Sequence, residues 1–162
     1  MGISLCNIMN IAHNVRIEVF GYDDKEEVKN TLKSILSESA KKAIEGGKLT
    51  IQEEPMKAKR AEETDITIFR LYLEKKGHVK EFVEKLFYEL KDENIKEKLC
   101  KRIDEECKCY IRLDRTRLLN GQYKLTFAGD CFHIKIALAA YPAKRNKGEK
   151  LVCDFVEKIV EK

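Results

Sequence analysis

The 162 residues carry 32 Lys and Arg against 28 Asp and Glu, a formal net charge of +4, with 37% of all positions charged. That length suits one domain with a full-sized core, and the charged fraction exceeds the roughly 25% of an average soluble domain. No run of about 18 apolar residues occurs, which excludes a membrane-spanning helix, while the near-balanced charge permits a polyanionic partner without demanding one.

Abundant Lys, Glu and Ile with two prolines and no tryptophan resemble thermophile usage, in which surface ion pairs gain value with temperature. The first residues lack the basic start and small-residue cleavage site of a signal peptide. Cys6 also stands where a myristoylation signal needs Ser or Thr. The expectation is a cytoplasmic protein. Residues 1–11 read as an N-terminal extension, either disordered or owed to a start assigned ahead of Met9, and residues 12–162 as a single domain. Six cysteines in such a chain read as reduced thiols, and the spacing of Cys100, Cys107 and Cys109 does not match a structural zinc site. No cofactor or metal is expected.

Residues 14–20 alternate, with Val15, Ile17 and Val19 to one side and Arg16 and Glu18 to the other, which predicts a first strand. Asp23, Asp24, Glu26 and Glu27 mark a helix start, and Asp24 with Glu27 has capping-box spacing. Val28, Leu32, Ile35, Leu36, Ala40, Ala43 and Ile44 carry that helix to Gly46-Gly47. A short strand at 48–53 is ended by Pro55. In the charged connection at 56–64, Lys57, Lys59 and Arg60 are offset by neighbouring glutamates. Residues 65–73 are apolar on both faces and predict a central strand. Val79, Phe82, Val83, Leu86, Phe87 and Leu90 form a helical stripe, and Asp92 caps a second helix with Ile95, Leu99 and Ile103.

Between 103 and 141 three segments alternate, at 109–114, 123–128 and 131–138, separated by turns at Asn120-Gly121 and Gly129-Asp130. Three antiparallel strands are predicted, with Tyr123, Leu125 and Phe127 pointing inward alongside Phe132, Ile134, Ile136 and Leu138. Residues 142–150 form a basic, flexible turn, and a last helix buries Leu151, Val152, Phe155, Val156, Ile159 and Val160. The order β-α-β-β-α-α-β-β-β-α predicts a single-domain α+β two-layer sandwich, with a mostly antiparallel sheet, helices on one face and the other face open.

That open face would carry Tyr110, Arg112, Asp114, Lys124, Thr126, His133 and Lys135. Spacing alone favours an ordinary solvated face. Cations beside an aromatic ring also suit single-stranded nucleic acid, because cations engage phosphates and a ring stacks on any base. Nucleotide-binding glycine loops and hydrolase motifs are absent. Asp104, Glu105, Glu106, Asp114 and Asp130 could hold a divalent metal, but they read more simply as a solvated cluster, a strand residue and a turn residue.

The segments Ala-His-Asn-Val-Arg-Ile-Glu-Val-Phe at 12–20, Ile-Asp-Glu-Glu at 103–106, Tyr-Ile-Arg-Leu-Asp at 110–114, Gly121 and Gly129-Asp130 resemble an archaeal family of predicted RNA-binding proteins and proposed exosome subunits. The resemblance spans residue 11 to the C-terminus. It implies a fold similar to that of the large-subunit ribosomal protein that contacts 5S RNA. It also implies an accessory role in exosome- or ribosome-linked RNA processing, with RNA as partner and no catalysis of its own. The motif falls on Tyr110, Arg112, Asp114 and Gly121. Arg115-Thr116 stand where the family commonly has Lys-Gln, which keeps the charge and loses an amide. The expected RNA contacts are Arg16, Tyr110, Arg112, Lys124 and Lys135 on the sheet, Arg115 and Arg117 at its edge, and Lys144, Arg145 and Lys147 on the adjoining loop. The alternative is a protein–protein adaptor or homodimer that uses the same face or an edge strand.

Overall fold

In the computed structural model, which describes residues 10–22, 24–56, 66–91 and 94–160, the predicted sheet forms with five strands. In chain order the elements are β1 (Ala12–Gly21), α1 (Lys25–Ser34), α2 (Glu38–Glu45), β2 (Gln52–Met56), β3 (Ile66–Leu73), α3 (Lys76–Glu89), α4 (Ile95–Cys100), β4 (Lys108–Asp114), α5 (Arg115–Leu119), β5 (Cys131–Leu138) and α6 (Arg145–Val160). The sheet order is β2-β3-β1-β5-β4 and every pairing is antiparallel. The α+β sandwich read from the sequence is therefore the architecture found.

Period-two alternation decides which side chains face the helices. Val15, Ile17 and Val19 of β1 are buried together with Phe69, Leu71 and Leu73 of β3, Ile111 and Leu113 of β4, and Phe132, Ile134 and Ile136 of β5. Against them lie Val28 and Leu32 of α1, Val79, Phe82, Val83 and Leu86 of α3, and Val152, Phe155 and Val156 of α6. Each such side chain contributes about 1.5–3 kcal/mol by leaving water, so the face that packs on the helices is decided strongly. No helix among the described residues is long and apolar enough to cross a membrane.

Several local expectations are corrected. The long helix predicted from Asp24 is two helices. Ser37 interrupts it by taking the Ala40 N–H on its hydroxyl oxygen at 3.3 Å, which caps α2. Asp24 makes no capping bond within α1; its carboxylate accepts instead from the Tyr22 N–H at 3.0 Å and pairs with Arg115. The strand predicted at 48–53 lies at Gln52–Met56 and includes Pro55, which the sheet tolerates because β2 is its outermost strand. Lys57, Lys59, Arg60, Glu62, Glu63 and Asp92 lie outside the described residues.

The largest correction concerns 123–128, which is not a strand of the sheet. The Asp114 carboxylate accepts the Arg117 N–H at 2.9 Å and caps α5, so the chain leaves β4 as a helical turn rather than a hairpin. The segment then returns beside β4 with two ladder bonds, Asp114 N–H to Lys124 carbonyl at 2.8 Å and Thr126 N–H to Arg112 carbonyl at 3.0 Å. One bridge, Leu113 to Leu125, is all the pairing that results. Finally, the basic turn at 142–150 is largely the first turn of α6. Gly148 lies within that turn because a Cβ there would come within 3.1 Å of the Cys107 sulfur and 3.2 Å of Leu138.

Where β1 ends, Gly21 faces the fully buried Phe69 ring, and a Cβ at this position would stand 2.6 Å from Phe69 Cε2. Gly21→Ala is expected to lower stability by about 1–3 kcal/mol, the usual cost of overpacking a core. A shift in the urea midpoint at constant slope checks it.

Candidate nucleic-acid interface

The side chains that β1 turns away from the helices meet outward-facing partners on both sides. Arg16 stands opposite Tyr72 of β3 and Lys135 of β5, and Lys135 stands opposite Tyr110 of β4. The row across four strands is therefore Tyr72, Arg16, Lys135, Tyr110: two cations between two tyrosines over about 14 Å, at the usual strand spacing. The next row is Gln52, Arg70, Glu18, His133, Arg112.

Charge is divided unevenly over this face. Arg70 binds Glu18 through Nε at 2.7 Å and also pairs with Glu54, while on the opposite, helical side of the sheet Lys29 of α1 pairs with Glu53 at 2.8 Å. On the β1-β5-β4 side, Arg16, Arg112 and Lys135 have no carboxylate within ion-pair distance among the described residues. Arg112 donates to the Phe127 carbonyl at 3.2 Å, which holds its guanidinium toward the β4 edge. A shallow depression of about 300 Å³ runs between Arg16, Glu18, Phe20, Tyr110, Arg112 and Lys135.

Two side chains on this face are tuned by their surroundings. The Tyr110 hydroxyl donates to Asp104 at 3.2 Å; burial first, and then the Asp104 charge, raise its pKa, so the ring keeps its proton. Burial works against ionisation of Asp104, but the N–H groups of Lys108 and Glu106 and the Tyr110 hydroxyl together outweigh it and hold that carboxyl below its usual range. For His133, burial first and the Arg112 charge second lower the pKa, with Glu18 opposing them, so the imidazole is neutral at neutral pH. Away from this face, burial and the neighbouring Cys153 push the Cys100 thiol up to about 12, which keeps it protonated and a poor nucleophile. Among the described residues no cluster of three or more His, Cys, Asp or Glu is arranged to hold a metal ion.

Of the residues singled out by sequence, Arg16, Tyr110, Arg112 and Lys135 come together on the open face. Lys124 sits instead on the segment that borders β4, because 123–128 is not a strand. The Arg115 guanidinium is turned inward, paired with Asp24 and donating to the Phe20 carbonyl at 3.1 Å, and is a structural clamp. Arg117 lies on α5 and donates to Gln122 at 3.4 Å. Lys144, Arg145 and Lys147 stand at the start of α6, in the helical layer at the end of the sheet; Arg145 there faces Glu149 at 3.3 Å and Glu105 at 3.8 Å.

Three residues of this surface are not visible in the sequence pattern. Tyr72 is hidden in a strand that looks apolar on both faces, although its parity with Arg70 places it outward. Arg102 follows α4 just outside the Ile-Asp-Glu-Glu segment at 103–106, yet its guanidinium lies 4.5 Å from the centre of the Phe127 ring. Phe127 itself is 74% exposed, whereas the alternation points it inward.

The chain is 25% identical over 151 residues to the Pyrococcus abyssi protein named RNA-binding protein PAB1135, covering 90% of this chain and 94% of that one. Its structure is similar to that of Mth689, a DUF54 protein from Methanothermobacter thermautotrophicus, with a TM-score of 0.73 and 25% identity over 90% of this chain and 98% of the other. Residues 14–138, which run from β1 to the end of β5 and so include the whole open face, match the model of the family described as RNA binding, and the chain belongs to that family.

Proposed function

We propose that the β1-β5-β4 half of the open sheet face binds single-stranded RNA. The observation that carries the reading is the row Tyr72, Arg16, Lys135, Tyr110, with Arg112 beside it: cations left without carboxylates on a sheet whose other half is neutralised by its own glutamates. Phosphates can replace the missing carboxylates, and the tyrosine rings can stack on bases of any sequence. The family to which the chain belongs and the name of its Pyrococcus relative support the same partner.

We extend the reading to an accessory role that holds RNA for an exosome- or ribosome-linked processing machine, following the resemblance of the motif around Tyr110, Arg112 and Asp114. Binding without cleavage is part of the proposal. It is supported by the engagement of Asp104 with two backbone N–H groups and Tyr110, and of Asp114 with the Arg117 N–H, which takes up carboxylate oxygens that a hydrolytic metal would need. Docking of a protein through the β4 edge is disfavoured. That edge is already bonded to 102–104 near its start and to 124–126 near its end.

Fluorescence anisotropy of short single-stranded and duplex RNAs across a salt series tests the proposal. The wild type is expected to prefer the single strand with a steep salt slope. The Arg112→Ala/Lys135→Ala double variant should flatten that slope by about 1.4, at about 0.7 for each phosphate no longer neutralised. Lys144→Ala/Arg145→Ala should leave it nearly unchanged. The opposite order would move the site to the start of α6.

His133 adds a pH test. A histidine whose folded pKa lies below its unfolded value makes the free protein lose stability as pH falls from the unfolded pKa toward the folded one. A bound phosphate opposes the Arg112 charge and raises that folded pKa, so binding takes up a proton. Affinity at fixed salt is expected to rise as pH falls from about 7.5 toward about 5.5, the range in which histidine titrates, and His133→Asn should reduce that rise.

A further inference from the structure

The segment 123–128 that fails to become a strand builds something else. Together with the turn after α4 it encloses a pocket of about 250 Å³ on the outer flank of β4, lined by Leu99, Arg102, Tyr110, Ile111, Leu125 and Phe127. Its floor is the aliphatic surface of Leu99, Ile111 and Leu125, the first two fully buried and Leu125 packed against the core. Phe127 forms one wall with three quarters of its surface open. The Arg102 guanidinium stacks 4.5 Å from its ring centre and donates to the Thr126 carbonyl at 3.5 Å. Tyr110 forms the opposite rim, 41% exposed, its hydroxyl tied to Asp104. Two further cations, Lys98 and Lys101, stand at the mouth, with Lys101 3.5 Å from Glu97.

The segment is held in place rather than draped. Arg112 grips the Phe127 carbonyl, Thr126 N–H is bonded to the Arg112 carbonyl, and the Thr126 hydroxyl donates to the Ala128 carbonyl at 3.0 Å. An aromatic ring kept exposed against a guanidinium, over an apolar floor, offers a flat ligand one stacking face and a dry base. The pocket also shares Arg102, Tyr110 and Ile111 with the depression on the open face, so the two are continuous around Tyr110.

We infer that this flank pocket is a nucleobase subsite: one unstacked base of a single strand turns off the sheet at Tyr110 and seats against Phe127 and Arg102, while its flanking phosphates stay on Arg112, Lys135 and Arg16. The inference rests on the RNA reading of the sheet face. Charge complementarity selects the occupant, because three cations, Arg102, Lys98 and Lys101, stand around the apolar floor against one carboxylate, Glu97, and Arg112 holds the Phe127 carbonyl beside it, which suits an uncharged ring carried on a polyanion. Specificity for single strands follows, since a base inside a duplex cannot leave its stack without an unpairing cost.

The test compares two heptamers with identical phosphates, seven adenosines and seven abasic ribose units, together with seven residues of 2-aminopurine as a stacking reporter. The proteins are the wild type, Phe127→Ala and Phe127→Tyr. Because Phe127 is mostly exposed, neither variant removes core packing, and circular dichroism verifies folding. The wild type is expected to quench 2-aminopurine emission and to bind the adenosine heptamer on the order of 10-fold more tightly than the abasic one. Phe127→Ala should lose most of the quench and of that preference while keeping the salt slope, the remainder being owed to Tyr72 and Tyr110 on the sheet, and Phe127→Tyr should retain both. Adenosine monophosphate alone should bind at least about 10-fold more weakly than the adenosine heptamer, having none of the sheet's phosphate contacts. Tighter binding of the monophosphate would make this a free-nucleotide site and overturn the inference. Equal binding of the two heptamers, with a steep salt slope and no effect of Phe127→Ala, overturns the subsite and base stacking on the sheet's tyrosines, and leaves standing only the phosphate contacts of the sheet face. No binding of either heptamer at low salt overturns both. Light scattering on the same samples covers the protein alternative: a dimer that Phe127→Ala dissociates would give the pocket to a second copy of the chain and overturn the inference.

Discussion

Burial of Val15, Ile17 and Val19 beneath the helices is the constraint on which the open face depends. A strand has two sides, so sealing those three side chains obliges Arg16, Glu18 and Phe20 to point the other way. Because β1 lies in the middle of the sheet, its register also orders the faces of β3 and β5, and β5 in turn orders β4. A slip of one residue would bring Arg16 into the core and expose Ile17, and the size of the hydrophobic effect forbids it.

Within that frame the face divides by electrostatics. The outer half toward β2 closes on itself through Arg70, Glu18 and Glu54, which compensates its charge locally. The half toward β4 leaves Arg16, Lys135 and Arg112 without carboxylates at ion-pair distance among the described residues. A net charge of +4 says little about binding, whereas its placement beside two tyrosines says much more. Arg115 illustrates the difference: a residue next to the motif, expected as an edge cation, is engaged by Asp24 and the Phe20 carbonyl and braces the end of β1 against the start of α5.

The flank of β4 shows how a failed strand becomes useful. Alternation in 123–128 is real, but the cap that Asp114 offers to Arg117 turns the chain before a hairpin can form. Two returning backbone bonds are enough to seal part of an edge that would otherwise template aggregation. They are too few to impose a strand's inside and outside on Phe127, and the ring is left at the surface against Arg102.

The α+β class, the identity of four of the five strands, the inward faces of β1, β4 and β5, and the meeting of Arg16, Tyr110, Arg112 and Lys135 on one surface are legible in the sequence, because all of these follow from local period and from burial of apolar side chains. The sequence also carried the motif that led to the RNA-related reading. Which cations are neutralised and which are not is settled by folding, because Asp24 and Arg115, or Glu54 and Arg70, are brought together in space and not by spacing. Folding likewise decided that 123–128 borders the sheet instead of joining it. Strand alternation and a bordering segment that packs only Tyr123 and Leu125 on the core look alike in sequence, and the capping carboxylate of Asp114 turns the chain toward the second.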